Sequence, residues 1–311
     1  METLFVTHPA CQQHDTGYGH PECAGRLQAI EEHLAVTQLM DYLSYRRASP
    51  ASDRQLLRVH TAELLARVHA PMPPQGYHHL DPDTRVSAGS ARAARLAAGA
   101  VVEAVDAVIS GQAQTAFCAV RPPGHHANAG AASGFCLFNN IAVGAYQALT
   151  HPDINRVAIV DFDVHHGNGT ENIVVDDPAI LFCSTLQHPF YPNTPLRPVS
   201  DTMVSVPLKA GAGGDAFRAA VREHWLPALN AFAPDLVMMS AGFDAHRDDD
   251  MGGLALVDAD YAWVTLQMRD IADRYAGGRM VSSLEGGYEF KSLARSVEQH
   301  IRVLARLEGI V

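Results

Sequence analysis

Asp161-Phe162-Asp163-Val164-His165-His166-Gly167-Asn168-Gly169 sets two carboxylates and two imidazoles into the six residues Asp161 to His166, directly after an apolar run ending at Val160. In an extended segment, residues i, i+2 and i+4 point the same way. Asp161, Asp163 and His165 are therefore expected to project together from the end of a buried strand. Unpaired charge in such a place is very costly. A divalent cation is the natural partner.

Reading outward from this stretch, apolar strands alternate with helices. Strands are predicted at 116–120, 157–160, 180–184, 236–240 and 280–284. Helices are predicted at 90–109, 139–149, 171–175, 215–232, 258–274 and 291–307, with Asp215 as a helix cap. The part before residue 85 reads as loops with short helical stretches at 26–34 and 62–68. Within it, residues 71–85 form a long irregular segment, a length at which loops are usually functional or disordered. The pattern predicts one α/β domain over residues 1–311, with a largely parallel central sheet flanked by helices. No composition break divides the chain, and no internal repeat is present.

Composition narrows the function. With 47% apolar and 18% charged residues the chain has ordinary globular usage. A formal charge of −11 argues against a nucleic-acid partner held through the phosphate backbone. The five cysteines form no CxxC pair, which fits reduced thiols in the cytoplasm. The start carries no signal-peptide pattern, and no apolar run is long enough to span a bilayer, so no membrane partner is expected.

Four predicted strands each end in an unusual polar group: His125 and His126, the Asp161 to His165 cluster, Asp244, and Tyr288. Open α/β sheets build their sites at the carboxyl ends of their strands. Asp163, His165 and Asp244 offer one nitrogen and two carboxylate oxygens, the donor set of a catalytic zinc site with an open position. Taken singly, such an aspartate more often caps a helix or makes an ion pair; the full motif with a second aspartate on another strand end points to metal. Arg121-Pro122-Pro123-Gly124-His125-His126 presents two imidazoles suited to proton transfer near neutrality. Asp161 and Asn168 are available to orient them. Gly286 and Gly287 let the backbone place the Tyr288 phenol in a crowded site, where it would hold a developing oxyanion.

Together the motifs resemble the zinc-dependent histone deacetylase family, in its class II and bacterial deacetylase-like amidohydrolase branch. The matching stretches are Gly19-His20-Pro21-Glu22 with Arg26-Leu27, the Arg121 to His126 turn, Gly134-Phe135-Cys136-Leu137-Phe138-Asn139-Asn140, Asp161 to Gly169, Ser240 to His246, and Leu284-Glu285-Gly286-Gly287-Tyr288. The resemblance implies an arginase-like fold with Asp163, His165 and Asp244 holding zinc, which polarises an acyl-amide carbonyl and activates water. It implies His126 as general base and then acid, His125 with Asp161 as electrostatic partner, and Tyr288 on the oxyanion. It places Gly134, Phe135, Tyr191 and Met251 along an acyl-lysine tunnel. It also implies a structural monovalent cation, usually potassium, at Asp161, Asp163, His165, Ser184 and Thr185, mostly through main-chain oxygens.

The chain departs from common relatives in three places. Asn168 stands where class I enzymes often carry Asp, Cys23-Ala24-Gly25 follows His20-Pro21-Glu22 where a proline is frequent, and Asp248-Asp249-Asp250-Met251 replaces the usual Asp-Pro-Leu. Met251 falls where polyamine-specific relatives can place a glutamate; a neutral Met would not attract a second ammonium group, although Asp249 and Asp250 nearby could partly compensate. The expected substrate is an acylated lysine, with a small acetylated polyamine as the rival. A binuclear manganese ureohydrolase and an idle acyl-lysine binder are the more distant readings. The rim loops at 8–25 and 71–85 carry no readable code for substrate, and a homo-oligomer stays open.

Overall fold

The computed structural model describes residues 2–72, 75–198 and 200–307. Its strands are β1 (Thr3–Thr7), β2 (Ser44–Arg47), β3 (His78–His79), β4 (Arg85–Val86), β5 (Thr115–Cys118), β6 (Val157–Asp161), β7 (Ile180–Gln187), β8 (Met203–Leu208), β9 (Leu236–Ala241) and β10 (Met280–Leu284). Eight of them form one sheet in the order β2-β1-β5-β10-β9-β6-β7-β8. Every neighbouring pair in it is parallel. β3 and β4 form a separate small antiparallel pair. This is a single α/β domain, as the alternation of elements predicts.

The helices are α1 (Gly25–Val36), α2 (Asp53–Leu56), α3 (Ala62–Val68), α4 (Ser90–Ile109), α5 (Asn140–Ala148), α6 (Asn168–Val174), α7 (Gly214–Ala220), α8 (Leu226–Phe232), α9 (Asp258–Tyr275) and α10 (Phe290–Leu304). α4 packs on α5, while α10 packs on both α9 and α1. The central strands β5, β10, β9 and β6 are buried at every position. That is the burial expected of a parallel sheet covered on both faces. Asn139 caps α5 through its side chain, which accepts the Ala142 amide at 3.0 Å.

Several expectations need correcting. The N-terminal part contains two sheet strands, β1 and β2, rather than loops and helices alone. β2 is a polar edge strand whose exposure alternates, so it lacks a buried apolar signature. β8 also escapes the sequence pattern because it is an edge strand interrupted by Pro207, a residue tolerated at edges. Asp215 does not cap its helix: Gly213 is the cap and Asp215 lies in the first turn of α7, where its charge still favours the helix dipole. The predicted helix at 215–232 is three pieces, α7 and α8 joined by a π-turn at Val221–Trp225. Part of the irregular 71–85 segment is the β3–β4 pair; residues 73 and 74 of it lie outside the described residues.

One buried histidine locks α10 to the sheet. His300 is fully buried, with Nδ1 2.6 Å from Thr265 Oγ1 and Nε2 2.8 Å from Ser282 Oγ. Thr265 already donates to the Tyr261 carbonyl at 2.6 Å, so it accepts from His300 Nδ1–H, and Ser282 donates to Nε2. The imidazole is neutral in this arrangement, and burial pulls its pKa down to about 3. A depressed folded-state pKa means stability is fully present above about pH 6.5 and is lost as pH falls from there towards 3. Urea unfolding at pH 7 and pH 5 should therefore show the wild type losing about 2 kcal/mol more than His300→Gln. Parallel losses in the two proteins would contradict a neutral His300.

Candidate metal centre and active site

β5, β10, β9 and β6 are four consecutive strands of the sheet. Each is followed by one of the predicted site segments. The topology thus gathers His125/His126, Tyr288, Asp244 and the Asp163/His165 pair at the carboxyl end of the central strands.

His165 Nδ1 lies 3.1 Å from Asp163 Oδ1 and 3.1 Å from Asp244 Oδ2. One ligand atom from each of these three buried residues lies within 4.8 Å of the others. The remaining carboxylate oxygens face backbone amides: Gly286 N donates to Asp163 Oδ2 at 2.9 Å and Val164 N to Asp244 Oδ1 at 2.9 Å. The packing is tight enough that a methyl group at Gly286 would overlap both carboxylates.

The electrostatics of this cluster favour a cation. Burial and the neighbouring Asp163 charge push the Asp244 carboxyl up to about 7. Burial opposes protonation of His165, yet its hydrogen bonds to Asp163 and Asp244 outweigh burial and raise it to about 10. Two buried carboxylates therefore draw positive charge between them, and a divalent ion with neutral His165 satisfies all three donors. The residues fit zinc by donor type, number and convergence.

Asp161 is not part of this trio, contrary to the simple extended-strand reading. β6 ends at Asp161, and the chain beyond it turns. Asp161 Oδ2 instead lies 3.0 Å from His125 Nδ1, while Oδ1 accepts the Asp163 amide at 3.1 Å. Burial opposes a charge on His125, but Asp163 and then Asp161 outweigh it and hold its pKa well above the usual imidazole range. His126 Nδ1 lies 2.7 Å from Asn168 Oδ1. An amide oxygen only accepts, so Nδ1 carries the hydrogen and Nε2 is left free. Burial, then the charges of His125 and His165, hold the His126 pKa well below normal.

A cavity of about 360 Å³ opens onto this cluster, lined by Gly134, Phe135, Tyr191 and Met251 together with His126, His165 and Tyr288. The four expected tunnel positions therefore share one wall system. The Tyr191 ring stands edge-on to His126 with centroids 5.1 Å apart. Ser184, paired in register with Asp161 across β6 and β7, has a fully buried hydroxyl with no hydrogen-bond partner among the described residues. An orphaned oxygen there fits a second, monovalent cation, and Thr185 is buried beside it.

Sequence reasoning gave no role to several residues that shape the site. Phe190 stacks on His165 with centroids 5.4 Å apart. Asp83, which carried no reading, lines the cavity beside Asp250, whose charge the sequence had placed near Met251. Glu285 accepts the Gly124 amide at 2.6 Å and the His125 amide at 3.1 Å, tying the histidine turn to the end of β10. Glu22 pairs with Arg26 and Arg121, and Arg121 also donates to the Cys11 and His14 carbonyls at 3.1 Å. Burial opposes charge on Glu22, but Arg121 outweighs it and holds the carboxyl at about 2. Glu22, Arg26 and Glu285 stand inside the quoted motifs, which was the only signal available for them.

Residues 20–304 match the family model described as the histone deacetylase domain. The chain belongs to the histone deacetylase family. It is 41% identical over 298 residues to an uncharacterized protein of Synechocystis, covering 94% of this chain and 96% of that one. It is 39% identical over 277 residues to a histone deacetylase-like amidohydrolase of Pseudomonas aeruginosa, covering 87% and 73%. Among solved structures, the HDA15 HD domain superposes with a TM-score of 0.92 at 35% identity, covering 98% of this chain and 88% of that one. Membership supports a deacetylase or amidohydrolase activity. Among the described residues no helix is long and apolar enough to cross a membrane.

Removing one donor from the trio should empty it. Asp244→Ala, purified and shown to be folded by circular dichroism, is expected to carry far less metal than the wild type by mass-spectrometric counting. Full metal content in that variant would mean the ligand assignment is wrong.

Proposed function

We propose that the chain is a zinc-dependent amidohydrolase that removes acetyl or related acyl groups from lysine-like amines. The observation that carries this reading is one aromatic-walled cavity lined by His126, His165 and Tyr288 together, with His165 in turn set against Asp163 and Asp244 behind it. Asp163, His165 and Asp244 would hold the zinc; when bound it supplies Lewis acidity to an acyl carbonyl and to water. Ser184, Thr185, Asp161, Asp163 and His165 would hold a structural potassium.

The protein's own groups supply the rest. Phe135 and Tyr191 flank the cavity and favour an extended, apolar amine stem. His126 Nε2, freed by the Asn168 bond, takes a proton from the attacking water and returns it to the leaving amine. His125, held by Asp161, adds positive charge beside this transfer. The Tyr288 hydroxyl donates to the oxyanion that develops on the carbonyl. Arg26 lies over the Tyr288 ring with its guanidinium carbon 4.8 Å from the centroid, which fixes the ring from behind.

A second reading, an acetylated polyamine as substrate, is favoured by Asp83 and Asp250 in the cavity lining, where they would attract a further ammonium group. Met251, being neutral, adds nothing to that attraction. Assays of acetyl-lysine peptides beside acetylputrescine separate the two: the main reading expects the higher kcat/KM on the peptide, and the reverse order would move the assignment to the polyamine.

Tyr288→Phe should retain zinc and lose turnover by roughly 10²-fold or more, as when one oxyanion donor is removed. Wild-type kinetics in that variant would take Tyr288 out of the reaction.

A further inference from the structure

Asp249 occupies the loop that leaves Asp244 and is buried, at 4% exposure. Oδ2 accepts the amides of Tyr288 at 2.6 Å and Glu289 at 3.0 Å, and Oδ1 accepts the Met251 amide at 3.0 Å. A single carboxylate thus faces three backbone donors from two segments. The loop that carries it is itself braced. Asp249 N donates to the His246 carbonyl at 3.0 Å, Asp248 N to His246 Nδ1 at 3.1 Å, and buried His246 has Nε2 3.3 Å from Asp258 Oδ1.

The turn that bears Tyr288 has little stiffness of its own. Gly286 and Gly287 precede the tyrosine, and Gly287 stands at φ +118°, a conformation open chiefly to glycine. The two glycines are held through their carbonyls, Gly286 by the Phe243 amide at 3.0 Å and Gly287 by Arg26 Nε at 2.6 Å, and the amides at the two ends go to carboxylates: Asp163 receives that of Gly286, and Asp249 receives those of Tyr288 and Glu289. We propose that Asp249 is a positioning residue for Tyr288, fixing where the phenol stands and coupling it to the cavity wall at Met251. This rests on the reading of Tyr288 given above. Among the described residues the carboxylate makes no hydrogen bond to the side chains of Asp163, His165 or Asp244; it acts through the backbone it grips.

Asp249→Asn tests this with little change of shape. An amide offers one accepting oxygen, so its NH2 must face either the Tyr288 and Glu289 amides or the Met251 amide. The expected result is a fall in kcat on the order of 10²-fold from misplacement of the phenol, with KM little changed and metal content equal to wild type. Amide hydrogen exchange at Tyr288 and Glu289 should speed up in the same variant. The decisive comparison is a double-mutant cycle: in a Tyr288→Phe background, Asp249→Asn should cost nothing further. An equal loss in both backgrounds, or an unchanged kcat in the single variant, would overturn the proposal. If Tyr288→Phe alone left turnover intact, the reading of the reaction would fall instead. Should Asp249→Asn not yield folded protein, Asp249→Glu displaces the turn by one methylene while keeping the charge, and the same two outcomes decide.

Discussion

Two buried carboxylates set beside one imidazole, Asp163 and Asp244 around His165, are the constraint from which the rest of the site follows. Like charges at this depth repel, and burial weakens the solvation that would relieve them. The protein meets part of the demand with backbone amides, since Gly286 donates to Asp163 and Val164 to Asp244. Those same bonds position the neighbouring segments. Gly286 leads into the Tyr288 turn, and Val164 lies between Asp163 and His165. The charge that calls for a cation is therefore also the charge that assembles the groups around it.

The surrounding shell repeats this device. Buried acids each gather backbone donors or arginines from separate parts of the chain. Glu285 joins the histidine turn to β10, and Glu22 joins the first rim loop to α1 and to Arg121. Arg26 donates from its Nε to the Gly287 carbonyl at 2.6 Å and covers the Tyr288 ring, so the rim loop and the phenol share a support. Acids buried in this way are costly alone and stable only as members of complete networks. That explains why so many charged side chains sit at the strand ends of a chain with only 18% charged residues.

Much of the site was legible because it is written in contiguous motifs at strand ends. DxDxHHGNG, RPPGHH and the Gly286-Gly287-Tyr288 turn each follow an apolar strand, and parallel topology alone brings their ends together. The buried strands β5, β6, β7, β9 and β10 were visible as short apolar runs. The edge strands β2 and β8 were not, because an edge strand lacks burial on both faces and tolerates polar residues and proline. The extended reading made Asp161 project together with Asp163 and His165, but alternation applies only while the strand lasts, and β6 stops at Asp161. Asp249 read only as a charge near Met251: it lies in a run of three aspartates, and only the folded loop shows which of them is buried. Asp83 and Phe190 come from loops whose path depends on contacts distant in sequence.

The most direct test of a lone cation held by two acids and an imidazole is anomalous diffraction from crystals of the purified protein, recorded above and below the zinc absorption edge. A single zinc peak bonded to Asp163, His165 and Asp244 is the predicted result. Two metal peaks bridged by further carboxylates, or a zinc peak bonded to other side chains, would contradict it.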